Sequence, residues 1–119
     1  MQEYVKVIKS EDTISVCFYI EHTKPFELGE KMQEINEEAY MNGYNWEAFW
    51  NYYLEKYKSD LYQDLETDSE AGMYCAYYEL TNQGEEKAIQ FANLISTMVE
   101  EEEEIYRILR EESDDIEWD

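Results

Sequence analysis

Tyr4-Val5-Lys6-Val7-Ile8-Lys9-Ser10-Glu11-Asp12-Thr13-Ile14-Ser15-Val16-Cys17-Phe18-Tyr19-Ile20 is the stretch that decides the fold class. β-Branched residues recur with a rough period of two over Tyr4–Lys9. A polar triplet follows, and Ile14, Val16, Phe18 and Ile20 then share one face of a second run. Alternation at this period sends successive side chains to opposite faces of a strand, so the stretch reads as an antiparallel hairpin. His22-Thr23-Lys24-Pro25 breaks the second strand, and His22 reads as a loop residue rather than a ligand.

Outward from the hairpin the period changes. Leu28, Met32, Ile35 and Ala39 recur at spacings of three and four, predicting a helix from Glu27 to about Asn42. Asn42-Gly43 reads as its stop. Asn45 is the expected cap of a second helix, Trp46 to about Lys58, with Trp46, Phe49, Trp50, Tyr53, Leu54 and Tyr57 on a wide aromatic face. Leu61–Glu66 and Met73–Tyr78 read as a second hairpin around a turn at Asp68–Gly72, where Gly72 supplies a positive φ. A final helix is expected from Glu85, with a stripe of Ala88, Phe91, Ala92, Ile95, Met98 and Val99 continuing into Ile105, Ile108 and Leu109. Glu100–Glu104 covers every face of that helix at mid-length, which marks a bend or the point where the helix leaves the body. The expected order is ββααββα. This is an α+β domain in which an antiparallel sheet of two hairpins carries packed helices, and it fills residues 1–119 as one unit.

Charge is the dominant feature of the composition. Nine basic residues stand against thirty acidic ones, a net charge of −21 on 119 residues. The excess lies late in the chain: residues 59–119 hold nineteen acids and three bases. Such a field repels phosphate, so direct nucleic-acid binding and adsorption to an anionic membrane are both disfavoured. It attracts cationic partners and speeds their association. Disorder is argued against by an aromatic content of 16%, twelve of those residues being Tyr.

Catalytic and metal chemistry find little material. There is one His, no nucleophile elbow, and four glycines scattered singly rather than gathered into a phosphate loop. Asp64-Leu65-Glu66-Thr67-Asp68-Ser69-Glu70 alternates acids as a calcium loop does. It has Ser69 where the loop needs Gly and Cys75 where it needs its final Glu. No metal, no cofactor and no enzymatic activity are expected. Cys17 and Cys75 carry no pairing motif and read as reduced thiols of a cytoplasmic protein. No apolar run is long enough to span a membrane, and no leader sequence is read at the start.

The acids form two sets that suit a docking surface. Asp64, Glu66, Asp68 and Glu70 lie on the second hairpin; Glu100, Glu101, Glu103, Glu104, Asp114 and Asp115 lie on the C-terminal element from about residue 100. Tyr106 and Trp118 are aromatic anchors within the second set, and Tyr62, Tyr74 and Tyr78 are further candidates. Truncation at about Glu100 is expected to remove binding and leave the first hundred residues largely folded.

Gly43-Tyr44-Asn45-Trp46-Glu47-Ala48, Tyr52-Tyr53-Leu54 and Asp68-Ser69-Glu70-Ala71-Gly72-Met73-Tyr74 resemble the immunity protein 51 family of bacterial polymorphic-toxin systems. Asn45 stands where the family usually has Asp, and Tyr74 where it usually has Phe. The resemblance covers roughly residues 40–78. It implies an α+β protein that neutralises the toxin domain encoded beside it, often a nuclease, with Trp46 anchoring helix to sheet and Gly72 making the turn. Charge and resemblance therefore agree on a basic toxin domain as partner, bound by a monomer or a homodimer. The competing reading is a DNA mimic that sequesters a nucleic-acid-binding protein.

Overall fold

The computed structural model describes residues 2–119. Strands Val5–Lys9 (β1) and Thr13–Phe18 (β2) form the first hairpin, with Val5 opposite Phe18 and Lys9 opposite Ile14. Glu66–Thr67 (β3) and Tyr74–Glu79 (β4) form the second. β2 joins β4, so the sheet runs β1-β2-β4-β3 with every pairing antiparallel. This is the α+β architecture read from the sequence.

The helices are Thr23–Ile35 (α1), Gly43–Tyr57 (α2), Ser59–Tyr62 (α3), Asn82–Glu101 (α4) and Glu103–Glu111 (α5), followed by a 3-10 turn at Ser113–Asp115. Several boundaries differ from expectation. α1 begins at Thr23 rather than Glu27, because Pro25 falls in the first turn, where its missing N–H would have no helical partner. It ends at Ile35, and the Asn36 side chain turns back to accept the Glu38 N–H at 2.9 Å. Asn42 does not stop a helix but caps one, accepting the Asn45 N–H at 2.9 Å. Leu61 sits in the helical turn α3 and is buried there, so the strand expected at Leu61–Glu66 shrinks to Glu66–Thr67.

Two glycines have neighbours close to where a Cβ would stand, and neither has a positive φ. Gly43 brings α2 against the second hairpin: its N–H bonds the Ala71 carbonyl at 2.7 Å, and an added Cβ would lie 1.7 Å from the Glu70 carbonyl oxygen. Gly72 does occupy the turn closed by Glu70 and Met73, yet its φ is not positive. There it gives room to the Glu21 carboxylate, 3.3 Å from where a Cβ would stand.

One face of the sheet is the core. Ile14, Val16 and Phe18 of β2 and Tyr74, Ala76 and Tyr78 of β4 pack under α2 and α4. Trp46 does anchor α2 to the sheet: its ring meets Phe18 edge-on at 4.9 Å, and Trp50 bridges on to Phe91 of α4 at 5.9 Å. Each fully buried large side chain contributes about 2 kcal/mol. Tyr74 and Tyr78, considered above as contact residues, are therefore core residues. Lys6, Ile8, Ser15, Cys75 and Tyr77 lie on the other face, half-buried or exposed.

The final helix is broken at Glu102, whose φ of 61° separates α4 from α5. After the break the chain does not leave the body. Ile105, Ile108, Leu109 and Ile116 are buried in the common core. The expectation that residues beyond about 100 are dispensable for folding is thus corrected: they supply part of the core.

Candidate functional site: an acidic groove lined with aromatics

α2 has two faces. Trp46, Phe49, Trp50 and Tyr53 point inward. Tyr44, Glu47, Ala48, Asn51, Tyr52 and Glu55, at helical spacings of three and four, form the outer side. The tail lies along that side because five anchors turn it back. The Asn36 amide donates to Ser113 Oγ, and Trp118 Nε1 donates to the same oxygen at 3.2 Å. Ile116 is buried. The Asp119 backbone N–H reaches Asn45 Oδ1 at 2.7 Å.

The strongest anchor is Glu112, 8% exposed. Its carboxylate accepts from Tyr52 Oη, from Tyr57 Oη at 2.6 Å, from Lys56 Nζ at 2.7 Å and from Arg107 Nη1 at 2.7 Å. Burial alone would raise the Glu112 pKa. The four hydrogen bonds, two of them from cations, overcome that and hold it well below the usual carboxylate range. The same bonds raise Lys56 above the ordinary lysine value. Lys56 and Arg107 are thereby committed to an internal carboxylate.

Between α2 and the tail lies a groove of about 460 Å³, lined by Tyr44, Tyr52, Tyr62 and Trp118 and by Glu47, Glu55, Asp115, Glu117 and Asp119. No basic side chain lines it. Aromatic rings and carboxylates lining one groove suit a Lys or Arg side chain, which stacks its stem or guanidinium plane on the rings while its charge meets the acids.

The acids singled out in the sequence fall in three places. Asp115 and Trp118 line this groove, and Asp114 is exposed on the turn beside it. Asp64 and Glu66 lie at the β3 edge, in a second groove of about 480 Å³ that also contains Lys87. Asp68 and Glu70 continue that edge, Asp68 bonding the Cys75 carbonyl through its N–H at 2.9 Å. Glu100, Glu101, Glu103, Glu104 and Tyr106 sit at the α4–α5 break. There Glu100 accepts the Tyr4 hydroxyl at 2.6 Å and Glu104 pairs with Arg107 at 2.7 Å. Tyr106 donates to Glu102, whose carboxylate also meets Lys24 at 3.3 Å and Lys31 at 3.6 Å. That cluster is partly occupied by internal pairs.

Glu47, Glu55, Tyr44 and Tyr52 were not singled out as surface residues. Their signal was present as the outer stripe of α2, at i, i+4 and i+8. It was masked by the richer aromatic stripe on the inner side.

Among the described residues, no group of three or more His, Cys, Asp or Glu side chains is placed to hold a metal ion. No helix among them is long and apolar enough to cross a membrane. In comparison with known proteins, a family model described as Immunity protein 51 matches residues 5–114. No curated protein and no solved structure matches.

Proposed function

The chain belongs to the immunity protein 51 family, and from that premise we propose that it neutralises a basic toxin domain, a nuclease by its charge, through the groove between α2 and the tail. Membership makes it a toxin-neutralising protein in general. The finer reading rests on one observation: five acids and four aromatics share a groove with no basic side chain. A nuclease site built to grip phosphate presents Lys and Arg, and this groove offers them carboxylates in place of phosphates. The net charge of −21 steers the encounter and makes association fast at low salt. Inhibition is by occlusion, in the cytoplasm of the cell that makes both proteins, and requires no cofactor and no catalysis by this chain.

The test is binding to the toxin domain encoded beside this gene. A 1:1 complex is expected, with an association rate that falls as salt rises. Double reversal at Glu47 and Glu55 to Lys weakens it by at least ~30-fold, while Asp64→Lys with Glu66→Lys changes it by less than about threefold. The opposite ranking would move the docking surface to the β3 edge. No complex with the neighbouring product would remove the nuclease reading.

A further inference from the structure

Cys17 and Cys75 are 58 positions apart in sequence, yet they face each other across β2 and β4 as register partners. Their Sγ atoms are 3.3 Å apart. The hydrogen-bond phase of the sheet fixes what kind of pair this is. Leu80 N–H donates to the Asp12 carbonyl, so alternate pairs from there, Ile14/Tyr78 and Val16/Ala76 among them, occupy hydrogen-bonded sites. Cys17/Cys75 falls between them, in a non-hydrogen-bonded site. Two observations from the flanking strands agree. Tyr19 N–H bonds the Tyr4 carbonyl, the phase that turns the Cys17 backbone toward Lys6 of β1. The Cys75 carbonyl accepts from Asp68 and its N–H donates to Ser69 Oγ at 3.2 Å. The two cysteines thus turn their backbones away from each other and their side chains to the same face. At such sites the Cα atoms lie about 4.5 Å apart, inside the range of roughly 4.4–6.8 Å that a disulfide spans.

We propose that Cys17 and Cys75 form a dithiol site that a low-molecular-weight disulfide converts to an intramolecular cross-strand disulfide. Cys75 is partly exposed and Cys17 is 5% exposed, which orders the steps. The Cys75 thiolate attacks one sulfur of the small disulfide, forming a mixed disulfide and releasing one small thiolate. The Cys17 thiolate then attacks Cys75 Sγ and expels the second small thiolate. The two protons lost from the cysteines appear on the two small thiols, and two electrons pass from protein to oxidant. Exposure alone sets this order, and the bond the two thiols share biases them in opposite directions. The hydrogen bond with Cys75 lowers the Cys17 pKa, against a smaller effect of burial. The same bond, burial and the charges of Asp68 and Glu70 raise Cys75. With the two Sγ atoms 3.3 Å apart, the second step is intramolecular and fast, and the mixed disulfide does not accumulate. The proposal stands on the sheet register, the Sγ–Sγ distance and the exposure of Cys75, and is independent of how the toxin is bound.

The experiment is to titrate the full chain with oxidised glutathione in glutathione buffers, quench in acid, alkylate under denaturing conditions, and measure intact mass and digests. The expected product is a monomer lighter by two hydrogen atoms, with no alkylated cysteine and a linked Cys17–Cys75 peptide. Cys17→Ser is expected to accumulate the glutathione adduct on Cys75 that the unaltered chain does not. Full alkylation at every ratio, a persistent adduct on the unaltered chain, or disulfide-linked dimers would each overturn the proposal.

Discussion

Asn45, near the start of α2, and Asp119, beyond the 3-10 turn, are joined by a single hydrogen bond: the Asp119 N–H reaches Asn45 Oδ1 at 2.7 Å. The other end of the same buried amide donates to the Tyr40 carbonyl at 2.8 Å. One side chain therefore ties the α1–α2 connection to the tail. Asn45→Ala should leave the sheet intact, cost about 1–2 kcal/mol, and speed amide hydrogen exchange at Glu117–Asp119. Unchanged exchange there would mean that Trp118 and Ile116 hold the tail unaided.

Glu112 predicts an acid-sensitive lock. Its native pKa lies far below that of an unfolded glutamate, so it stabilises the fold above about pH 4.3 and loses that contribution as pH falls toward the native value. Glu112→Gln should cost roughly 3 kcal/mol at pH 7. The gap between the two proteins in urea midpoints should close progressively below about pH 4. A gap independent of pH would show that shape rather than charge holds the site.

At Glu102 the backbone and the side chain make opposite demands. A φ of 61° favours Gly, whereas the carboxylate meets Lys24, Lys31 and Tyr106. Glu102→Ala and Glu102→Gly both delete those contacts, but only Gly removes the steric cost of positive φ. The Gly variant should be more stable than the Ala variant by about 1 kcal/mol in thermal unfolding. Equal stabilities would mean that the break shifts elsewhere once the carboxylate is gone.

A chain ending at Glu102 should fail to unfold cooperatively, because it lacks Ile105, Ile108, Leu109 and Ile116 and leaves their partners in α1 and α4 exposed. Loss of a sigmoidal urea transition and dye binding to exposed apolar surface would register this. A cooperative transition within about 1 kcal/mol of the full chain would contradict it.

How far the sequence foretold this molecule depends on the kind of interaction involved. The β1–β2 hairpin and the inner face of α2 were legible because period and apolarity are local properties, visible in a window of a few residues. Asn42 was misread as a stop because Asn-Gly serves equally as a helix end and as a cap with a close backbone approach. Only the Glu70 carbonyl beneath Gly43 distinguishes the two. The groove was half legible: Asp115 and Trp118 stood out in an acidic tail, but their α2 partners become neighbours only when Glu112 and Asn45 fold the tail back. The Cys17–Cys75 pairing was invisible, since sequence alone does not say which strands of two hairpins lie side by side.

The break at Glu102 has a consequence for how this chain can change over generations. Each helical residue advances the chain by about 100° of rotation. Inserting or deleting one residue between Glu102 and Ile105 would swing Ile105, Ile108 and Leu109 off the core, and with them Glu112 away from Tyr52 and Arg107. Glu101 and Glu103 are exposed and free to be respelled. The run of five glutamates acts as a spacer in which two letters, at 101 and 103, are negotiable and the length is not.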